Sequence, residues 1–431
     1  MTTEIAALRG RRIWDSRGRP TVEVDVTLAG GAQGRGMAPA GASRGRFEAI
    51  DLRDGGDALG GFGVDKAVAN VNGSIARALD GMDAADQEAV DAALTTLDGT
   101  ANFATLGGNA AIATSMAVLS AAANAAVQPL WRYLAGDAKV RLPLPEIQIF
   151  GGGAHAGRRV DIQDFLIMPV GAASFDEAMV MTAEVYRAAG ELMAERGKRA
   201  GVADEGGWWP DFATNEEALD MLALSIERAG YRNGEVVISL DIAASEFGEG
   251  GRYRLGLEDR EFDTGDWLNV LFGWIARYPI LSVEDPVGED DPAGMRAFTE
   301  AVGARLQVIG DDFLVTDPAR VEGAIADGAC NAVLLKPNQA GTISRTRRAM
   351  AVARQAGWGM VVSARSGETE DAMIVHLSTG WDTGQLKVGS FARSERMAKW
   401  NEALRIEEAL GGNAVYAGAG ALPAMVRENL S

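Results

Sequence analysis

With 431 residues, 47% of them hydrophobic, the chain is long enough for two domains or for a barrel carrying an added domain. No apolar run approaches the roughly eighteen residues of a membrane span, and the opening MTTEIAALRG lacks a basic segment followed by an apolar one, so cytoplasmic residence is the expectation. A formal charge of -19 argues against nucleic acid and anionic membrane as partners, although a bound divalent metal can reverse the potential inside one cleft.

Cys330 is the sole cysteine, which excludes an intrachain disulfide and a cysteine metal site, and His155 and His376 are the only histidines. Oxygen ligands and hard metals are therefore expected. Along the chain, TVEVDVTL (21–28) alternates like a strand, and the GGAQG beyond it suggests a hairpin. After the loop GASRGR come Ala-rich stretches such as AAIATSMAVLSAAANAAVQPLWRYLAG, whose composition and length favour helix. Together they suggest an α+β domain over residues 1–136, with a boundary near RLPLPEIQIFGGGAHAGRR and a second domain over 137–431.

In the second domain, short β-rich runs end in polar residues and are followed by helix-like stretches. The runs are VVISLD, PILSVED, LQVIGDD, AVLLKP and MVVSARSG, and their terminal residues are Asp241, Glu284, Asp311, Lys336 and Arg365, separated by 43, 27, 25 and 29 positions. This is βα spacing, and in a closed barrel such strand ends converge on one face. A doubly wound open sheet is the alternative; the number of repeats favours the barrel.

Asp241, Glu284 and Asp311 at three successive strand ends form an oxygen set suited to Mg²⁺, though each alone would equally serve as a helix cap. Their neighbours Asp285 and Asp312 should point elsewhere and act as supports or caps. Lys336 ends an apolar run, where a charge is costly unless partnered. Beside a metal its neutral amine would be a base for abstracting a proton next to a carboxylate, the charge pattern for which a Lys base with Mg²⁺ is a known arrangement in the enolase superfamily.

At this point the motifs DSRGRPTVEVDV, VADEGGWWP, LDIAASEF, SVEDP, GDDFLVT, LLKPNQAGT, RSGETED and ARSER, in that order, resemble enolase sequence over nearly the whole chain. The resemblance implies an N-terminal α+β lid domain, a C-terminal modified β/α (TIM-type) barrel, a homodimer or higher homo-oligomer, and β-elimination of water from 2-phosphoglycerate. It implies Asp241, Glu284 and Asp311 as ligands of one Mg²⁺ and Ser43 as a loop ligand of a second. It also implies Lys336 as base, Glu205 as acid, Asp164 and His155 near the chemistry, and Arg365, Ser366, Lys387 and Gln163 around the substrate. The glycines near His155 lack the strand-to-helix context of a dinucleotide site, so no nucleotide cofactor is expected.

Three motifs depart from the family pattern: Ala364 stands where His precedes RSGETED, Asp164 where DIQEF has Glu, and Ala40 with Arg44 where PSGAST has hydroxyl residues. Ala364 vacates an imidazole-sized volume, and Arg44 adds a cation able to pair with a carboxylate. These departures resemble the branch of the family that makes carboxyphosphonoenolpyruvate in phosphinothricin-type biosynthesis. The expectation is therefore a substrate with a carboxylated phosphorus, with Ala364 and Arg44 receiving that carboxylate. A housekeeping enolase and a noncatalytic enolase-like binding protein are the alternatives.

Overall fold

A computed structural model of the chain describes residues 2–42, 45–232 and 234–428. The N-terminal part opens with an antiparallel meander of β1 (Ile5–Trp14), β2 (Pro20–Leu28) and β3 (Gln33–Met37). The alternation in β2 buries Val22, Val24, Val26 and Leu28. Against this sheet lies the helix Gly108–Ala125, buried along almost its whole length. Its approach depends on β3: a Cβ at Gly34 would come within 2.2 Å of the Ala117 carbonyl oxygen. The Ala-rich stretch is helical, as its composition favours, and is divided in two, with Pro129 preceding a second helix at Leu130–Ala135.

The second part is a closed eight-stranded barrel, which excludes the open sheet. Its first strands are β4 (Leu144–Gly151), β5 (Asp164–Met168) and β6 (Val237–Asp241). A small separate sheet follows, made of β7 (Gly248–Glu249), β8 (Arg252–Leu255) and β9 (Arg260–Asp263). The barrel resumes with β10 (Ile280–Glu284), β11 (Gln307–Gly310), β12 (Ala332–Leu335), β13 (Gly359–Ser363) and β14 (Gly384–Ser390), which pairs back onto β4.

All barrel pairings are parallel except those of β5, which runs antiparallel to both β4 and β6. A strand of reversed direction brings its first residue, not its last, to the mouth where the others end, and Asp164 is accordingly in register with Asp241. The prolines Pro143 and Pro145 of the boundary segment sit at the entry to β4, so that segment already contains barrel. At the opposite end, Leu144, Met168, Val237 and Leu281 pack with Ala417, Ala421, Leu422 and Val426 into an apolar floor.

The two parts are joined by buried hydrogen bonds. Asp91 accepts from the Ser344 amide (2.8 Å) and from the Ser115 hydroxyl (2.6 Å), and Ser115 Oγ accepts from the Ile343 amide (3.0 Å), so the first domain caps the barrel helix Ile343–Gln355. Among the described residues no helix is long and apolar enough to cross a membrane.

Candidate active site

Each strand run delivers its polar residue to the same mouth. Asp241 and Glu284 are the last residues of β6 and β10; Asp311 and Lys336 stand one residue beyond β11 and β12, and Arg365 two beyond β13. A small, tight cavity lies there, lined among others by Gln163, Asp164, Glu205, Asp241, Lys336 and Lys387, with His155, Ala364, Arg365 and Ser366 on its wall. A larger groove of about 1190 Å³ lies against β7–β9, beside Arg46, Phe247 and Phe262; it lacks this convergence of buried charged groups.

Two lysines divide the acidic end. Lys387 on β14 donates to Asp241 Oδ2 (2.7 Å) and Glu284 Oε2 (2.8 Å) and lies 3.6 Å from Asp164. Lys336 pairs with Asp311 Oδ2, and Gln339 Nε2 donates to the other oxygen of Asp311 (2.9 Å). Burial disfavours both ammonium charges, yet the carboxylates outweigh it: Asp311 and Glu284 hold Lys336 above the usual lysine range, and Asp241, Glu284 and Asp164 hold Lys387 well above it. A divalent cation among the same carboxylates would act in the opposite direction on Lys336.

Burial opposes the Asp241 charge, but Lys387 keeps its carboxyl below the ordinary range. Burial, reinforced by the Asp241 charge, pushes Glu284 well above the ordinary range, and its Oε1 is buried with no hydrogen-bond partner among the described residues. Three carboxylates on the neighbouring strands β6, β10 and β11, one with a free buried oxygen, fit a hard divalent cation. Without an ion, Asp241, Glu284 and Asp311 are shared between the two ammonium groups. The tightest groupings of ligand-type atoms among the described residues are instead His155, Asp164 and Glu205, and Asp285, Asp311 and Asp312, each within 4.8 Å.

Asp285 acts as the expected support. At φ 41° it turns both oxygens onto backbone amides, those of Asp311 (2.9 Å) and Asp312 (2.7 Å). Burial, with the Asp311 charge, pushes its carboxyl up to about 8.

Across the cavity Glu205 sits on Gly389, where a Cβ would lie 3.1 Å from the Glu205 side chain. Its Oε1 is 3.4 Å from His155 Nδ1, and neither nitrogen of the buried His155 has a hydrogen-bond partner among the described residues. Asp164 is held by the Gln148 carboxamide, and burial pushes it up to about 6. Gln163 donates to Asp241 Oδ2 (3.1 Å). At the far wall Arg365 is buried against Glu48 (3.1 Å), and the Ser366 hydroxyl accepts from the Ala42 amide (3.0 Å). Ser43 and Arg44 lie outside the described residues.

Sequence reasoning passed over Glu48, Gln148, Gln339 and Thr316. Gln339 and Thr316 stood inside the motifs LLKPNQAGT and GDDFLVT, but nothing in a local pattern links Glu48 to Arg365, 317 positions away.

The barrel has an acidic mouth fitted for a divalent cation, with a part-buried lysine, Lys336, and a buried glutamate, Glu205, on one cavity, an arrangement suited to acid–base chemistry beside a metal. The family model "Enolase, N-terminal domain" matches residues 5–134 and "Enolase, C-terminal TIM barrel domain" matches residues 139–425. A protein from Rubrobacter xylanophilus named "Enolase" is 48% identical over 428 residues, 99% of this chain and 100% of that relative. "Enolase 1" of Desulfitobacterium hafniense is 48% identical over 425 residues, 98% of this chain and 97% of its own. The chain belongs to the enolase family and is a carbon–oxygen lyase.

These relatives overturn the carboxyphosphono reading. Full-length similarity to proteins named enolase outweighs three local departures, and phosphonate or antibiotic biosynthesis has no support. Asp164 still lines the cavity, held by Gln148, and Ala364 is a single wall residue beside Arg365 and Ser366.

Proposed function

We propose that the protein is a housekeeping enolase that converts 2-phosphoglycerate to phosphoenolpyruvate. The observation that carries this reading is that Lys336 and Glu205 line one cavity from separate walls, as an acid and a base acting on adjacent carbons must. In this reading neutral Lys336 takes the proton from C2, the carbon–oxygen bond at C3 breaks, and Glu205 supplies a proton so that hydroxide leaves as water while the C2–C3 double bond forms. Arg365 and Ser366 hold the phosphoryl group, Lys387 faces the carboxylate, Gln163 and Asp164 border it, and His155 stands beside Glu205.

Asp241, Glu284 and Asp311 would hold Mg²⁺, with Ser43 as the proposed loop ligand of a second ion. When bound, Mg²⁺ neutralises the charge that accumulates on the substrate carboxylate. A homodimer is part of the same proposal, and sedimentation of the purified chain checks it.

The test is dehydration of 2-phosphoglycerate with Mg²⁺, read as the absorbance of the enol product. Turnover that disappears with a chelator and returns with added Mg²⁺ is expected. A folded chain that binds Mg²⁺ yet forms no product would overturn the reading and leave a noncatalytic binding protein.

A further inference from the structure

We propose that Thr316 and Gln339 form a positioning couple that fixes Lys336 and Asp311 relative to one another, a role that rests on the elimination proposed above. The first pointer is backbone strain. Val315 and Thr316 both adopt left-handed conformations, with φ 46° and 54°, and both are fully buried. Two successive β-branched residues in that region are costly, and a turn needing only to reverse direction would use glycine or asparagine there. Strain of this kind persists where the surroundings hold it, and it gathers at functional sites.

The second pointer is what the strain delivers. The Thr316 hydroxyl accepts from the Lys336 backbone amide (2.9 Å) and therefore has its own proton to give. It donates to Gln339 Oε1 (2.8 Å), with the Leu334 carbonyl farther off at 3.2 Å. That contact fixes the carboxamide, because only its oxygen can face the donor, so the Gln339 NH₂ turns to Asp311 Oδ1 (2.9 Å). The second oxygen of Asp311 meets Lys336 Nζ. A circuit thus runs from the Lys336 backbone through Thr316, Gln339 and Asp311 to the Lys336 side chain. Gln339 is neutral and occupies one Asp311 oxygen, which leaves the other for a cation, either the ammonium or a metal ion.

Four variants of the full chain test this: Thr316→Val, which keeps the shape and loses the hydroxyl; Thr316→Ser, which keeps the hydroxyl; Gln339→Met; and the Thr316→Val/Gln339→Met double. Thermal melts establish that each is folded. Each Val or Met variant is expected to lose about 10–100-fold in kcat with KM shifted far less, and Thr316→Ser to stay within about threefold of wild type. The double variant should be no worse than the poorer single one, because both changes break one circuit.

Calorimetric titration with Mg²⁺ alone gives a readout independent of turnover, and Gln339→Met should weaken binding about tenfold. A merely structural role predicts lower melting temperatures with kcat and Mg²⁺ affinity unchanged; that result, or losses that simply multiply in the double variant, overturns the proposal. If the wild type binds Mg²⁺ without turning over 2-phosphoglycerate, the functional reading falls while the Mg²⁺ titration still decides the couple. Equal affinities, or no Mg²⁺ binding by the wild type, sink it.

Discussion

Lys336 and Lys387 carry the same charge into one mouth, but their partners differ. Lys387 bridges two carboxylates from β6 and β10, whereas among the described residues Lys336 has Asp311 as its one acid within hydrogen-bond reach. Lys336 is therefore the lysine with fewer direct carboxylate contacts, although the Glu284 charge also favours its ammonium form. Removing it and removing Glu205 should have separable effects. Lys336→Ala is expected to lose at least about a hundredfold both in turnover and in exchange of the substrate C2 proton with solvent. Glu205→Gln should lose elimination to a similar extent and retain C2 exchange, read by proton NMR in deuterated buffer. Loss of exchange in both variants would contradict the assignment of base and acid. At the far wall, Glu48→Gln should raise KM by about tenfold or less with little change in kcat, since it loosens the guanidinium of Arg365 without touching the proton-transfer groups. The Glu48 contact was invisible in sequence because it depends on a lid segment folding back over a strand end 317 residues later.

The strands that could be read directly were those whose apolar run ends in a charged residue: β6, β10, β11, β12 and β13. The element that could not was β5. DFLIM begins with its functional residue, and a reading tuned to repeated βα units has no place for a strand paired antiparallel on both sides. β4 was disguised by its prolines, which look like punctuation in a linear sequence and are tolerated at a strand entry. Helix content was easier to foresee than its partner: the Ala-rich helix Gly108–Ala125 was legible, but its close packing on β3 depends on Gly34. The clamp between domains is testable here. Asp91→Ala leaves the Ser344 amide and the Ser115 hydroxyl without their buried acceptor, so a loss of about 1–3 kcal/mol in unfolding free energy is expected from urea denaturation. A change smaller than about half a kcal/mol would mean that water replaces the carboxylate.

Over the whole molecule, stability and chemistry occupy opposite ends of the barrel. Leu422, buried in the apolar floor, is far from the mouth, so Leu422→Ala should lower stability by about 2–5 kcal/mol while kcat and KM hold within about twofold at temperatures where the variant stays folded. A large change in KM would show that the floor and the mouth are mechanically linked. The floor has a consequence for traffic as well. With Ala417, Ala421, Leu422 and Val426 covering one end and side chains filling the interior, ligands approach the site only from the mouth. Substrate and product then share one site and one approach, so product should compete with substrate for the mouth.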